Sequence, residues 1–273
     1  MDVRFEPCGP EKLTEIVCCP GGLELSGKRF RGDLSETFTW RLRMIELGMR
    51  GLIASCEDGP RGFAEYMPAE TAPLAIEAPG AAVLLCYHWA GTAADDPEHL
   101  ACEQTLIDRV IAETRGAFTG LVTQGWDHEN HFPIALLKEL GFREVARRDQ
   151  IALMWLPFRD DAVQPSYLPA ARTPRNLASE GLLAIDAAFS ARCPYSIDGE
   201  GRLQDAVATH PLAERIRLKL HRIDTREEAL AHAVSPFDWA WIFFNGEEIN
   251  LFEFRGERLA EEITRRIERL DPV

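Results

Sequence analysis

Apolar residues are distributed in two ways along the first part of the chain, as a continuous run and at helical spacing, and each distribution predicts one kind of element. Residues 81–89 form a nearly continuous apolar run of strand length, which is typical of a strand buried on both faces. After a short connection of small and acidic residues, apolar side chains return every three or four positions, at Leu106, Ile107, Val110 and Ile111. That spacing places them on one side of a helix. A buried strand followed by an amphipathic helix is half of a βαβ unit.

Shorter apolar segments, separated by turn-forming residues, predict the other elements of residues 1–158. Strands are predicted at 3–5, 51–56, 62–67, 119–124, 142–145 and 150–156, and helices at 9–17, 35–47 and 132–140. The turn signal at residues 57–60 joins two of these strands into an antiparallel hairpin. The predicted order is β-α-α-β-β-β-α-β-α-β-β, which makes this an α/β domain with a mixed sheet and flanking helices.

A change of composition at residues 159–179 predicts an interdomain linker, because this stretch is rich in proline and polar residues. The periods resume afterwards and predict a second α/β domain at residues 180–273. Its segments are a strand at 181–189, a turn at 193–196, a helix at 202–209, a strand at 217–223, a helix at 226–233, a hairpin at 240–254 and a helix at 257–270. The predicted order is β-α-β-α-β-β-α.

Composition narrows the possible functions. The chain has 273 residues, of which 46% are hydrophobic and 27% charged, as in ordinary two-domain globular proteins. The net charge of -14, with no basic cluster to offset it, argues against a nucleic-acid partner. No apolar run reaches membrane-spanning length, and the N-terminus lacks the basic and apolar regions of a signal peptide. We therefore expect a cytoplasmic protein with no membrane partner.

The cysteines and histidines predict no metal centre. Seven cysteines, an odd number, are scattered without a Cys-x-x-Cys pair, which favours neither a disulfide framework nor a structural zinc site. His128 and His131 lie three residues apart without an obvious third ligand, and Asn130 between them is suited to cap the following helix. The prediction for metals is therefore none.

The segment Ala135–Phe142, ALLKELGF, resembles the terminal helix of the GNAT acetyltransferases, which ends in Leu-Gly-Phe. The glycine supplies a left-handed cap, and the phenylalanine begins a strand anchored in the core. Together with the element order, the resemblance covers residues 1 to about 158. It implies transfer of an acyl group from acetyl-CoA to a small-molecule amine.

Two sites depart from the GNAT pattern. Where that family carries a loop for the pyrophosphate of coenzyme A, this chain has Ala94, Pro97 and His99. Where many members place a tyrosine that protonates the leaving thiolate, this chain has Leu137. The side chain of Asp96 suits a helix N-cap, and Pro97 suits the first helical position. A phosphate would meet negative charge there, so the sequence predicts weak binding of coenzyme A.

The second domain resembles the thioredoxin-like proteins in its predicted order of elements. Residues 193–196, Cys-Pro-Tyr-Ser, resemble the glutaredoxin motif with its second cysteine replaced by serine. At a helix N-terminus, Cys193 would be stabilised as a thiolate. A GNAT-like domain followed by such a domain resembles the YoaP-type bacterial acetyltransferases, and this resemblance spans nearly the whole chain.

Five residues near the presumed thioester site follow from the GNAT resemblance. Backbone amides of Cys86, Tyr87, His88, Gly91 and Thr92 are expected to pair with the pantetheine arm of the cofactor. Either Glu65 or His88 is expected to accept the proton of the amine. The alternatives are a solvent-facing strand residue for Glu65 and a hydrogen-bonded structural histidine for His88.

Three functions therefore remain open from the sequence. The leading hypothesis is acyl-CoA-dependent N-acetyl transfer to an unidentified amine, with acetyl-CoA as cofactor. The second is a non-catalytic protein that binds or senses a small molecule, which the altered loop and Leu137 favour. The third is thiol redox chemistry through Cys193 alone.

Overall fold

The computed structural model describes residues 3–16, 33–57, 59–90, 97–127, 132–148, 151–232, 234, 240–249 and 257–270. Within this part of the chain, two compact units are distinguished. Unit 1 comprises the residues up to Leu168 except 33–37, and unit 2 comprises 33–37 and the residues from Pro169 onward. The boundary after Leu168 lies inside the stretch 159–179 that the sequence predicts as a linker.

Unit 1 is built on a seven-stranded mixed sheet. Its strands are β1 (Arg4–Pro7), β2 (Arg50–Cys56), β3 (Gly59–Pro68), β5 (Ala82–Trp89), β6 (Gly120–Trp126), β7 (Arg143–Arg148) and β8 (Ile151–Pro157). The two-residue strand β4 (Ile76–Glu77) lies outside this sheet. The order in the sheet is β1-β2-β3-β5-β6-β8-β7. Neighbours run antiparallel except β5 and β6, which are parallel.

Helices cover both faces of this sheet. They are a 3-10 turn (Pro10–Glu15), α1 (Leu34–Glu46), α2 (Pro97–Thr114) and α3 (Ile134–Glu139). Because neighbouring strand residues face opposite sides, Ala64 packs in the cluster beneath α2 and α3, while Phe63 packs in the cluster beneath α1. Gly141 ends α3 with a φ of 88°, which is the left-handed cap expected from the Leu-Gly-Phe segment.

The predicted order of elements in unit 1 is observed, with one pairing that the sequence did not reveal. Strand β9 (Ser166–Tyr167) pairs with β4, and the Leu168 N–H donates to the Ala75 carbonyl at 2.9 Å. The Tyr167 hydroxyl also accepts from Gln124 Nε2 at 3.3 Å. Residues 166–168 are therefore held by unit 1. A two-residue strand has no periodicity, which is why the pattern analysis missed it.

Unit 2 is a four-stranded sheet with helices. Its elements are β10 (Leu183–Phe189), α4 (Pro194–Ala208), β11 (Ile216–Arg222), α5 (Arg226–His232), β12 (Ala240–Phe244), β13 (Glu247–Ile249) and α6 (Glu257–Glu268). The order is β11-β10-β12-β13, with β10 parallel to β11 and the other pairs antiparallel. The hairpin turn uses Asn245 and Gly246, both at positive φ, as two-residue turns require.

Helix α4 begins earlier than the sequence indicated. The predicted turn at 193–196 is in fact the first turn of the helix, because Pro194 occupies the first helical position and Cys193 is the N-cap. Gly199 lies in the helix interior, where its low propensity favoured a later start. Burial of Ile197, Gly199 and Leu203 overrides that propensity.

Candidate active site

A β-bulge in β5 marks the centre of the sheet in unit 1. Glu65 of β3 pairs with Cys86, whereas the next residue, Tyr66, pairs with Leu84, so Leu85 is an extra residue in β5. Such a bulge bends its strand and re-aims the side chains that follow. It also explains why Leu84 and Tyr87, three positions apart, belong to the same apolar cluster.

The parallel strands β5 and β6 part at this bulge. Only two residue pairs join them, Ala82 with Leu121 and Val83 with Val122. At the next position the Thr123 hydroxyl donates to the Leu84 carbonyl at 3.0 Å. Beyond that point β5 pairs with β3 and β6 pairs with β8. We call the space between residues 84–89 and 123–126 the β5–β6 gap.

Glu65 lies beside the bulge on the α1 side of the sheet, and it is not free. Its Oε1 accepts from Arg41 Nε at 2.5 Å and its Oε2 from Arg41 Nη2 at 3.3 Å. Both side chains are at most 2% exposed. The alternative of a solvent-facing strand residue is therefore wrong. Both oxygens of Glu65 are thus occupied by the Arg41 guanidinium, and a substrate amine could reach the carboxylate only by displacing this partner.

His88 and Cys86 share the face of Glu65, whereas Tyr87 points to the other side of the sheet. Burial, with a further contribution from His99, lowers the pKa of His88 to about 4, so its ring is neutral near pH 7. The Tyr87 ring packs against Phe132 in a tilted arrangement, with ring centroids 4.2 Å apart. Its hydroxyl is buried without a hydrogen-bond partner in the described part of the chain.

The pKa of the Tyr87 phenol lies well above its usual value because of burial and, after it, the nearby charge of Glu103. Cys86 is partly buried. The structure thus gathers Glu65, Cys86 and His88 on one face of the sheet. Gly91 and Thr92, which were expected to contact the cofactor, lie outside the described residues.

The sequence analysis missed a buried acid–imidazole pair on α2. His99 Nε2 lies 3.3 Å from Glu103 Oε1, and the two residues are 6% and 7% exposed. Desolvation raises the pKa of Glu103 to about 7, and a hydrogen bond from the backbone of Trp89 only partly opposes this shift. The signal was present in the sequence, because Leu106 and Val110 place residues 99 and 103 on the apolar face of the helix.

The bond from Trp89 locates Glu103 at the gap. The Ala90 N–H donates to the Arg61 carbonyl of β3 at 2.7 Å. In an antiparallel pair successive residues direct their N–H groups to opposite edges, so the Trp89 N–H points away from β3, toward β6. Glu103 therefore places a carboxyl group of near-neutral pKa at the edge of β5 that borders the gap.

Leu137 and Cys193 take the positions that the sequence assigned to them. Leu137 of α3 is fully buried in the apolar cluster and supplies no acid. Cys193 is the partly exposed N-cap of α4, and the hydroxyl of Ser196 accepts from the Ser190 backbone at 2.9 Å. The serine of the Cys-Pro-Tyr-Ser segment is therefore a buried structural group.

The described residues contain no metal cluster, no disulfide and no membrane-spanning helix. No group of three or more side chains suitable for a metal ion is found within those ranges. No disulfide joins Cys8, Cys56, Cys86, Cys102 and Cys193, which are the described cysteines. Among the helices that the structure describes, none is long and apolar enough to cross a membrane.

Comparison with known proteins gives structural neighbours only. No protein-family profile matches the sequence, and no curated protein matches it. Solved structures that resemble the chain include a GNAT acetyltransferase from Brucella melitensis in complex with acetyl-CoA, at 17% identity and a TM-score of 0.40, covering 62% of this chain and 97% of that one.

Two further neighbours cover similar shares. An acetyltransferase from Thermus thermophilus is 16% identical, with a TM-score of 0.40 and coverage of 57% and 97% of the two chains. The ribosomal-protein-S18-alanine N-acetyltransferase from Escherichia coli is 14% identical, with a TM-score of 0.38 and coverage of 60% and 100%. At TM-scores of 0.38 to 0.40, these likenesses assign no function to unit 1.

Proposed function

We propose that unit 1 transfers an acyl group from an acyl thioester, with acetyl-CoA as the expected donor, to a small-molecule amine. The observation that carries the proposal is the parting of β5 and β6 at the Leu85 bulge. Two parallel strands that separate leave backbone donors and acceptors facing each other across the gap. The pantetheine arm of coenzyme A is extended and carries two amides, so it is suited to lie there like a short strand.

Proton transfer is assigned to Glu103 in this proposal. The amine nitrogen attacks the thioester carbonyl, the C–S bond breaks, the thiolate leaves, and the amine proton passes to a base. A base works best when its pKa lies near the working pH, and the pKa of Glu103 is about 7. His88, with a pKa of about 4, is a weaker base, and Glu65 is tied to Arg41. The roles of Glu65 and His88 as bases stay predictions.

The nucleotide end of the cofactor meets a less favourable surface. Asp95, Asp96 and Pro97 stand where a loop would hold the pyrophosphate, and the negative charges of the two aspartates oppose binding of that group. We therefore expect the pantetheine arm to supply most of the binding energy. Coenzyme A itself should bind weakly, with a dissociation constant above about 1 μM, which corresponds to about 8 kcal/mol.

Calorimetric titration tests the proposal with two donors, acetyl-CoA and S-acetylpantetheine. We expect both to bind the full chain, with the shorter donor losing little affinity. Production of acetylated amine from a panel of primary amines, detected by mass spectrometry, then reports transfer. If neither donor binds, unit 1 is not an acyltransferase. If acetyl-CoA binds at about 1 μM or tighter, the acidic segment does not oppose the pyrophosphate.

A second function is favoured by one contact. The Glu103 carboxylate already accepts the Trp89 N–H, which a pantetheine amide would otherwise use at the edge of the gap. If the hydrogen bond between the Trp89 N–H and Glu103 persists, the protein would bind or sense a different small molecule and would not catalyse acyl transfer. Absence of binding by both thioesters in a folded protein would support this function over catalysis.

The remaining predictions from the sequence stand beside these two. Monothiol chemistry at Cys193 is a third function, with glutathione or a protein thiol as partner. The thioredoxin-like and YoaP-type assignment of the second domain and the cytoplasmic location remain proposals. So does the expectation of no nucleic-acid, membrane or metal partner.

A further inference from the structure

One face of the unit 2 sheet gathers polar and aromatic side chains from three strands. The register pairs Lys219 with Asp186 and His221 with Ala188, and it pairs Ala188 with Trp241. Residues directly opposite each other share a face, so Asp186, Lys219, His221 and Trp241 lie on the same side. Helix α5 covers this side and ends at His232, whose ring lies 4.6 Å from that of His221.

The only carboxylate that these strands place on this face is already occupied. Asp186 is 1% exposed, and its Oδ1 accepts from Arg175 Nε at 2.7 Å. Its Oδ2 accepts from the Arg175 backbone N–H at 2.6 Å. The nearby Glu228 is also engaged, because its Oε2 accepts the N–H groups of Asp224 and Thr225. Both acids thus already accept other donors, although the charge of Asp186 partly offsets the effect of burial on the pKa of Arg172.

Arg172 is a second arginine at this face. Its guanidinium lies over the Trp241 ring, with Cζ 5.1 Å from the centroid. Its Nε and Nη2 atoms are buried, and neither has a hydrogen-bond partner within the described ranges. These two atoms form one edge of the guanidinium and present parallel donors to a planar acceptor.

Other arginines of the chain show what this edge is used for. Arg41 donates from Nε and Nη2 to the two oxygens of Glu65, and Arg147 does the same to Glu144 at 2.6 and 2.8 Å. Arg265 repeats the arrangement with Glu262. The Nε/Nη2 edge binds a carboxylate in these three arginines. In Arg172 the same edge is buried without an acceptor in the described chain, so its desolvation is not compensated by a hydrogen bond.

A second buried nitrogen without a partner in the described chain is His221 Nε2. The His221 ring lies 6.0 Å from that of Trp241. Burial and, after it, the charge of Arg172 lower the pKa of His221 to about 4. The pKa of His232 is lowered by the same two causes in the same order. Both imidazoles therefore sit close to the Arg172 guanidinium. All three residues are partly exposed, so the cluster borders the solvent.

We propose that Arg172 and His221 form a binding site in unit 2 for a small oxyanion, a carboxylate or a phosphate group. The oxyanion accepts two hydrogen bonds from the Nε/Nη2 edge of Arg172 and a third from the His221 ring. Trp241 holds the guanidinium in place from below. The positive charges of Arg172 and Lys219, with Asp186 neutralised by Arg175, make this a cationic spot on an otherwise acidic chain.

The test uses the full chain with sodium acetate, sodium phosphate and, at matched ionic strength, sodium chloride. Arginine Nε–Hε resonances are followed by NMR, and the Arg172 signal is identified as the one absent from Arg172→Lys. We expect acetate or phosphate to shift this signal in a saturable manner, whereas chloride does not. A response to acetate alone identifies a carboxylate site, and a response to phosphate alone identifies a phosphate site.

Two variants separate this site from a structural role. Arg172→Lys keeps the charge but loses the paired donors, so oxyanion affinity should fall at least about tenfold. Arg269→Gln, an exposed charge change on the segment after α6, should bind as wild type does. No response to either oxyanion, an equal response to chloride, or unchanged affinity in Arg172→Lys would each overturn the proposal.

Discussion

Units 1 and 2 each bury the same edge of an arginine against a sheet, and the two arginines differ in what that edge meets. Arg41 in unit 1 is bound on Nε and Nη2 by Glu65. Arg172 in unit 2 presents the same two atoms to no acceptor in the described chain. A buried charge with its partner holds a fold in one arrangement, whereas a buried donor without one is satisfied only by something from outside.

The comparison extends to the acids. Glu65 is held on both oxygens by Arg41 in a buried pair. Glu103, which lies beside the His99 imidazole and accepts one backbone N–H, stays close to its point of protonation at neutral pH, since the pKa of the Glu103 carboxyl is about 7. The groups with full partners explain the stability of the units, and the groups without them mark the candidate sites.

The largest effect is expected where a compensated pair is broken. Glu65→Ala leaves the Arg41 guanidinium buried without a partner and should destabilise unit 1 by about 3–5 kcal/mol. The double variant Arg41→Met with Glu65→Met should lose less than the single one, because no charge is left behind. Urea unfolding followed by near-ultraviolet circular dichroism measures both. The single variants Arg41→Met and Glu65→Met complete the cycle, and a loss in the double variant equal to the sum of their two losses would show that the residues are not coupled.

Glu65 also separates structure from chemistry in any active preparation. Under the sequence hypothesis that Glu65 is the base, Glu65→Gln lowers acetyl transfer at least roughly tenfold in folded protein. Under the ion-pair interpretation, turnover per folded molecule stays near that of wild type. Active-site counts from donor binding, made alongside the rate, distinguish the two.

Glu103 is expected to have the next largest effect. If it accepts the amine proton, Glu103→Gln should lower turnover by about a hundredfold or more, since general bases supply roughly 10²–10⁴. The rate of the wild type should rise with pH through about 7, where Glu103 loses its proton. The exposed Asp108→Asn on the same helix serves as the control and should leave the profile unchanged.

The same residue makes a prediction that needs no activity. The folded pKa of Glu103 is raised from 4.5 to about 7, so the folded state binds more protons than the unfolded state between these values. Stability should therefore fall as pH rises across that window, by up to about 3 kcal/mol, and Glu103→Gln should remove this slope. A wild-type slope that persists in the variant would assign the titration to another group.

Much of this arrangement was predictable from local patterns, and the rest depends on long-range pairing. The order of elements followed from period and turn residues, as the Asn245–Gly246 hairpin shows. The Leu85 bulge and the partner of Glu65 could not be predicted in this way. The bulge depends on the pairing of β5 with β3, and the Glu65 partner depends on the packing of α1 against the sheet. The polar residues His99 and Glu103 lie on the apolar face of α2, and this pattern alone indicates that they are buried.

A smaller effect is expected at the acidic segment before α2. If Asp95 and Asp96 oppose the pyrophosphate, the double change to asparagine should tighten acetyl-CoA binding by roughly threefold to tenfold, as surface charges contribute about 0.2–1 kcal/mol each. S-acetylpantetheine, which has no pyrophosphate, should bind both proteins equally. An equal gain for the two donors would mean that the change acts on the fold rather than on the phosphate.

The smallest expected effect concerns the thiols, where rates differ but the fold does not. Cys193 is partly exposed and stands as the N-cap of the long helix α4, whose dipole stabilises a thiolate. Cys8, by contrast, is buried, and burial together with the charge of Glu65 raises the pKa of its thiol to about 12. Cys56 and Cys102 are buried as well, and Cys86 is the other partly exposed cysteine in the described chain.

Cys193 should therefore react first with limiting iodoacetamide at neutral pH, as read by peptide mapping. Cys18 and Cys19, which lie outside the described residues, are the competitors expected from the sequence. Ser196, with its hydroxyl bound to the Ser190 backbone, cannot resolve a mixed disulfide, so a glutathione adduct on Cys193 should persist until an external thiol removes it. In urea all seven cysteines should label alike, which provides the control. Faster labelling of any other cysteine in the native protein would mean that the start of α4 does not activate its N-cap thiol.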